Sequence, residues 1–116
     1  MITNFKIFEN INESEVVVGD YILLDLSNYE NPFLKDMIKF VENNIGKIVT
    51  IQYNTAPYEN CISITFDNIT EDMEKFFNYD KINNCFVRRF YEYEIILSSN
   101  NIEDLKVYLN SKKYNL

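Results

Sequence analysis

Two glycines in 116 residues constrain the fold of this chain more than any other feature. Gly19 lies inside the run VVVGDYILL and Gly46 inside NNIGKIVTIQY, and both runs are rich in the β-branched and aromatic residues that favour strands. Because glycine adopts positive φ readily, Gly19 is predicted to mark a sharp bend between two strand pieces, 16–18 and 21–26. Gly46 is predicted to lead into a further strand, 47–53.

The segment between these runs carries the signals of one helix. Asn31 supplies an N-cap, and Pro32 stands at the first helical position, where its missing N–H is not needed. Apolar residues then recur as on one face of a helix: Phe33, Met37, Phe40 and Val41. We predict a helix over residues 32–44. Residues that accept a left-handed conformation end it: Asn43, Asn44 and Gly46.

The middle of the chain is predicted to add a hairpin and a short helix. Residues 61–66 alternate apolar and small polar side chains, which is typical of a half-buried antiparallel strand. Residues 54–60 form the hairpin loop before this strand. A short helix is predicted over residues 69–78, because four apolar residues share one helical face: Ile69, Met73, Phe76 and Phe77. Residues 78–84 follow as a polar connector.

The last part of the chain contains a strand-rich segment and a helix. Within residues 86–97 the apolar register slips near Tyr91, which indicates a bulge or two short strands joined by a tight turn. A C-terminal helix is predicted over residues 101–112. These elements predict one α+β domain, 1–116, built on a small antiparallel β-barrel or curved sheet. A hydrophobic content of 47% suffices for a packed core.

The two glycine-containing runs resemble the SH3-like barrels of the KOW and Tudor type, in which a Val-Gly-Asp turn enters one strand and a glycine-led strand follows. The matching positions are Val18, Gly19, Asp20, Gly46, Ile48 and Val49. The resemblance implies an SH3-like barrel, from whose minimal form the added helices depart. Such barrels often bind ligands through aromatic side chains at the rim. Four tyrosines are therefore candidates for an aromatic binding surface: Tyr53, Tyr58, Tyr91 and Tyr93.

The chain also resembles small proteins of phages and mobile elements of low-GC origin. The matching stretches are Val18–Tyr21, Asn43–Gly46 and Leu105–Leu116. This resemblance implies a phage or mobile-element context and no particular activity. No signal-peptide pattern and no apolar stretch long enough to span a bilayer is seen, so we expect a cytoplasmic protein without a membrane partner. A disulfide between Cys61 and Cys85 is possible if their strands are adjacent, but two cysteines without a signal peptide are more often buried thiols in a reducing compartment.

Acidic residues outnumber basic ones, 18 to 11, which gives a formal charge of −7. This charge repels phosphate at long range and disfavours nucleic acid as a partner, whereas it favours a basic protein surface. From Phe8 to Leu34 the chain has no basic residue at all. The candidate acidic face in this segment consists of Glu13, Glu15, Asp20, Asp25 and Glu30.

The chain contains no histidine, which removes Ser-His and Cys-His nucleophile pairs and the commonest zinc sites. Two glycines leave no loop that could cradle a phosphate. Glu92 and Glu94 would project from one face of a strand, and two carboxylates can do acid/base work. Solvent-facing charges on an edge strand are the favoured interpretation of this pair. We therefore expect no enzyme activity, no metal and no cofactor.

Two functional hypotheses follow from the sequence. In the first, a non-catalytic, phage-encoded protein docks its acidic face on a basic host protein, in the sharpest version as a nucleic-acid mimic that inhibits host defence. In the second, an SH3-like module binds nucleic acid or peptide through the four tyrosines, with local Lys and Arg residues overcoming the overall charge. A minor virion or assembly component is a third possibility, with the chemistry of the first and a different partner.

Overall fold

The computed structural model describes residues 6–7, 16–53 and 60–114. Within these ranges the chain forms two α-helices, α1 (Lys35–Glu42) and α2 (Ile102–Tyr114). Its strands are β1 (Lys6–Ile7), β2 (Tyr21–Leu24), β3 (Gly46–Gln52), β4 (Cys61–Phe66), β5 (Asn78–Asp80), β6 (Cys85–Tyr91) and β7 (Ile95–Ser99). Short 3₁₀ turns cover Pro32–Leu34, Glu74–Phe76 and Glu92–Glu94. The predicted α+β class is confirmed.

The sheet is antiparallel throughout and open. Six strands pair in the order β1–β7–β2–β3–β4–β6, and the short β5 extends the sheet from β6. Strand β6 pairs with β5 through its first half and with β4 through its second half, where Cys61 lies opposite Tyr91. Among the described residues no pairing joins β1 to β5 or β6, so the sheet does not close into a barrel. Of the two predicted architectures, the curved sheet is the compatible one.

Alternation along β2 places apolar side chains on both faces of the sheet. Ile22 and Leu24 join the main core with Met37 and Val41 of α1, so this helix covers one face. Leu23 points to the other face. There it packs with Leu97 of β7 and Leu105 of α2. Leu105 is completely buried, which stabilises the fold by about 2 kcal/mol. The second helix confirms the prediction for residues 101–112, and the Asn101 side chain caps it by accepting from the Glu103 amide at 3.0 Å.

The inserted helix has the predicted N-cap, but its first and last turns differ from the prediction. The Asn31 side chain accepts from the Phe33 amide at 2.9 Å, and Pro32 opens a 3₁₀ turn that precedes α1. Because a 3₁₀ turn has a tighter repeat than an α-helix, Phe33 leaves the apolar face and is 84% exposed. At the other end the helix closes without a left-handed residue. The Asn44 side-chain amide instead donates to the Phe40 carbonyl at 2.7 Å.

The two glycines serve different purposes. Gly19 has φ +97° in a turn that the Asp20 amide closes on the Val17 carbonyl, which confirms the predicted bend. The predicted strand 16–18 is absent, because Val17 and Val18 belong to this turn. Gly46 has no positive φ. It lies in β3, where a Cβ would stand 2.5 Å from a side-chain carbon of Ile64, so close packing explains the glycine.

The predicted helix over residues 69–78 is wrong, and the predicted connector 78–84 is confirmed only over residues 81–84, which form a turn. Only a 3₁₀ turn at Glu74–Phe76 forms, and Asn78–Asp80 is strand β5, which makes a hairpin with β6. The apolar residues enter the core one by one instead of along a helical face. Phe77, in extended conformation, packs edge-to-face on Phe40 and Phe66, with ring centroids 6.3 and 6.0 Å away. The packing of this aromatic cluster, and not the helical spacing of the apolar residues, therefore determines the conformation of the segment.

Candidate functional site

The candidate site is built on the break between β6 and β7. The register slip near Tyr91 is resolved as two strands joined by the 3₁₀ turn Glu92–Glu94, one of the two predicted alternatives. A carboxylate oxygen of Glu94 accepts from the Tyr91 amide at 2.8 Å, so the third residue of the turn caps its start. The Asp25 amide donates to the Glu94 carbonyl at 2.9 Å and thereby joins the loop after β2 to this turn.

Glu92 and Glu94 are buried, at 3% and 4% exposure, so their predicted place on the solvent side of an edge strand is wrong. The strand ends at Tyr91, and the 3₁₀ turn directs both side chains towards hydrogen-bonding groups. A Glu92 carboxylate oxygen accepts from the Asn60 side-chain amide at 3.3 Å, and the Glu92 backbone amide donates to the Asn60 carbonyl. Both acids thus hold the turn in place.

Tyr29 lines the same site as Glu94. Burial raises the pKa of Tyr29 well above its usual value of 10.0, and the neighbouring Glu94 carboxylate raises it further. Tyr29 therefore stays neutral beside Glu94.

A cleft of about 440 Å³ lies between the loop 25–29 and the turn. Its walls include Asp25, Tyr29, Tyr91, Tyr93, Glu94 and Ile96. The rings of Tyr91 and Tyr93 stack nearly parallel, with centroids 5.5 Å apart and an interplanar angle of 9°. They are 46% and 50% exposed, so this ring pair offers aromatic surface at the mouth of the cleft.

The acidic candidates are not equivalent. Asp25 is exposed at the cleft, and its side chain accepts from the Ser27 amide at 2.9 Å. Glu30 is exposed nearby in the sequence. Asp20 is only 8% exposed and accepts from the Val17 amide, so this carboxylate stabilises the Gly19 turn. Glu13 and Glu15 lie outside the described residues.

Of the aromatic candidates, the structure brings together Tyr91 and Tyr93. Tyr53 is exposed and follows directly after β3, and Tyr58 lies outside the described residues. The cleft therefore unites Asp25 from the acidic set with two members of the aromatic set. The sequence did not indicate Tyr29 as a site residue, nor Glu94 as the residue that caps the turn. The register slip near Tyr91 was the one signal that pointed to this position.

Other chemistry is limited in the part of the chain that the structure describes. No cluster of three or more metal-binding side chains occurs there. Cys61 and Cys85 are not joined by a disulfide. Cys61 lies opposite Tyr91 on β6, and Tyr91 is six residues from Cys85 on the same strand. Cys61 and Cys85 are therefore roughly 20 Å apart, far beyond the reach of a disulfide. Neither α1 nor α2, as far as they are described, has the length and apolar character needed to cross a bilayer.

Comparison of the chain with protein-family models, curated proteins and solved structures finds no match. The function is therefore argued from the geometry and charge of the site.

Proposed function

We propose that this is a non-catalytic binding protein that docks the cleft and its acidic surroundings on a basic surface of another protein. The observation that carries the proposal is the meeting of Asp25, Tyr91 and Tyr93 at one cleft. Aromatic faces attract ammonium and guanidinium groups, and a nearby carboxylate neutralises them. A Lys or Arg side chain of the partner would therefore enter the cleft beside the ring pair.

The charge of the chain supports the same choice of partner. A formal charge of −7 steers basic surfaces towards the protein and disfavours acidic ones. Asp25 and Glu30 are exposed on the loop that forms one wall and its continuation. Glu94 lies deeper and adds a negative charge behind the rings.

The absence of catalysis is part of the proposal and rests on how the carboxylates are used. The Glu94 carboxylate accepts from the Tyr91 amide, and the Glu92 carboxylate accepts from the Asn60 side-chain amide. A general acid or base needs to reach a substrate proton, whereas these groups hold backbone and side-chain donors of the protein itself.

The resemblance to phage proteins suggests which partner to seek. A host protein that binds nucleic acid presents a basic surface, and an acidic protein that covers it would act as a nucleic-acid mimic and inhibitor of host defence. A basic virion or assembly protein would fit the same chemistry. The two differ in the partner and not in the cleft.

Nuclear magnetic resonance can test the cleft directly. The isotope-labelled protein is titrated with an Arg-rich peptide, a Lys-rich peptide and a Glu-rich peptide of equal length. We expect the basic peptides to shift the amide signals of residues 25–29 and 91–96. The Glu-rich peptide is expected to leave them unchanged. Shifts spread evenly over the surface, or equal shifts with the Glu-rich peptide, would refute a cation-binding cleft.

A further inference from the structure

Among the residues that the structure describes, the face of the sheet opposite α1 is covered only in part. Helix α2 packs on β2 and β7 through Leu23, Leu97 and Leu105. The outward side chains of β3, β4 and β6 lie beside this covered region. They form cross-strand rows, from Thr50 through Ser63 to Arg89 and from Gln52 through Cys61 to Tyr91. Each of these six residues is at least partly exposed. We call these two rows, with Lys47 and Thr65, the open sheet face.

The open sheet face differs in charge from the rest of the protein. Strands β3, β4 and β6 contain Lys47, Arg88 and Arg89 but no Asp or Glu, in a chain with 18 acidic residues. Arg88 points to the opposite face, where it donates to the Phe76 carbonyl at 2.9 Å. Lys47 and Arg89 are exposed on the open sheet face. The face is therefore locally positive.

Aromatic and hydroxyl groups accompany these two cations. Tyr91 stands in the row next to Arg89, and 46% of its surface is exposed. Tyr21 lies opposite Lys47, whose ammonium group is 5.7 Å from the centre of the tyrosine ring. Thr50, Ser63 and Thr65 add hydroxyl groups between the cations. Cations for phosphates, hydroxyl donors and an exposed ring for a base are the groups that single-stranded nucleic acids require.

We propose that the open sheet face binds single-stranded nucleic acid. Phosphates lie against Lys47 and Arg89, and a base stacks on Tyr91. Charge complementarity selects an anionic occupant, and the exposed tyrosine favours nucleic acid over a peptide of Asp and Glu residues, whose side chains have no aromatic ring to stack. The net charge of −7 opposes binding at long range, but charges more than about 8 Å away are largely screened at physiological salt. Tyr91 borders both this site and the cleft, whereas Lys47 and Arg89 do not line the cleft and Asp25 does not lie on the open sheet face.

Fluorescence anisotropy with labelled oligothymidylate and oligouridylate tests the proposal. Binding to the full chain is measured across a salt series for Lys47→Gln, Arg89→Gln and the control Lys35→Gln, which removes the same charge from an exposed position on α1. With two phosphate contacts, log K is expected to fall with log salt at a slope of about −1.4. Each of the first two variants is expected to reduce this slope by about 0.7, and Lys35→Gln leaves it unchanged.

The oligonucleotides separate DNA from RNA as the source of the ligand, since either can supply phosphates and bases. A Glu-rich peptide that competes equally well would overturn the proposal, because the face would then attract any anion. So would the absence of binding at low salt, or an equal effect of Lys35→Gln. Asp25→Asn is expected to leave oligonucleotide binding intact, so failure here is distinguishable from failure of the basic-protein proposal.

Discussion

The Glu94 carboxylate accepts a hydrogen bond from the Tyr91 backbone amide at 2.8 Å, across the 3₁₀ turn that joins β6 to β7. The backbone carbonyl of Glu94 accepts from the Asp25 amide at 2.9 Å, at the start of the loop on the opposite wall of the cleft. One buried residue therefore joins the turn that carries the ring pair to the loop that faces it.

Glu94→Ala is expected to lower the free energy of unfolding by about 1–3 kcal/mol, because it leaves the part-buried Tyr91 amide without its acceptor. Urea denaturation measures the change. The control is Glu71→Ala, which removes an exposed acid and is expected to change stability by no more than about 0.5 kcal/mol. Equal effects of the two substitutions would contradict the supporting function of Glu94.

Stability at high pH should depend on Tyr29. Its pKa is raised in the folded state above 10.0, so the phenol stays protonated while that of the unfolded chain ionises. The resulting stabilisation is fully present below pH 10 and is lost as the pH rises further through the folded-state pKa. The free energy of unfolding of Tyr29→Phe, measured by denaturation at a series of pH values, should therefore fall less steeply above pH 10 than that of the wild type.

The matched control for this experiment is Tyr53→Phe, because Tyr53 is the most exposed of the described candidate tyrosines. Its curve should follow that of the wild type over the alkaline range. If Tyr29→Phe and Tyr53→Phe behave alike, the burial of Tyr29 beside Glu94 does not contribute to stability in the way described.

Gly46→Ala is expected to destabilise the protein by about 1–3 kcal/mol through overpacking. The added methyl group would meet side-chain carbons of Ile64 at 2.5 Å and of Phe66 at 3.0 Å. Thr50→Ala, on the same strand at an exposed position, serves as the control and should change stability little. Thermal unfolding of both variants decides the point, and a neutral Gly46→Ala would show that β3 and β4 are less closely packed.

Asp20 and Asp25 should separate stability from binding. Asp20→Ala removes the acceptor of the Val17 amide in the Gly19 turn and is expected to lower stability by about 1 kcal/mol without a specific loss of basic-peptide binding. Asp25→Asn keeps a side-chain oxygen for the Ser27 amide, so it should retain stability and weaken binding. The reverse pattern, with Asp20 needed for binding, would place the docking face at the Gly19 turn.

Local signals in the sequence predicted much of the fold. The Asn31–Pro32 start, the alternation in residues 61–66 and the turn at Gly19 each reflect a short-range constraint, and each element lies where it was predicted. The prediction of a helix over residues 69–78 was wrong because the same spacing of apolar residues fits two structures. They can lie on one face of a helix, or they can enter the core individually from an irregular segment. Contacts of Phe77 with Phe40 and Phe66 decide between them, and these are long-range.

The site was less predictable than the fold. Asp25, Tyr91 and Tyr93 were candidates by residue type, but their meeting depends on the pairing of β2 with β7, which no local pattern reveals. Glu92 and Glu94 were misplaced because alternate positions in EYE suggest a strand, whereas a 3₁₀ turn brings them inside. Asp20 was counted as a surface acid because its bond to the Val17 amide cannot be read from charge alone.

Docking of a basic protein on the cleft can be measured by affinity capture of the tagged protein from nuclease-treated host lysate across a salt series. The wild type is compared with the double variant Asp25→Asn/Tyr93→Ala and with Tyr79→Ala, which removes a tyrosine of similar exposure outside the cleft. We predict recovery of one basic protein that is lost at about 1 M salt, where the Debye length is about 3 Å. The double variant should reduce recovery by about five-fold or more, and Tyr79→Ala should not. Recovery that is unchanged in the double variant, or insensitive to salt, would contradict docking through this cleft.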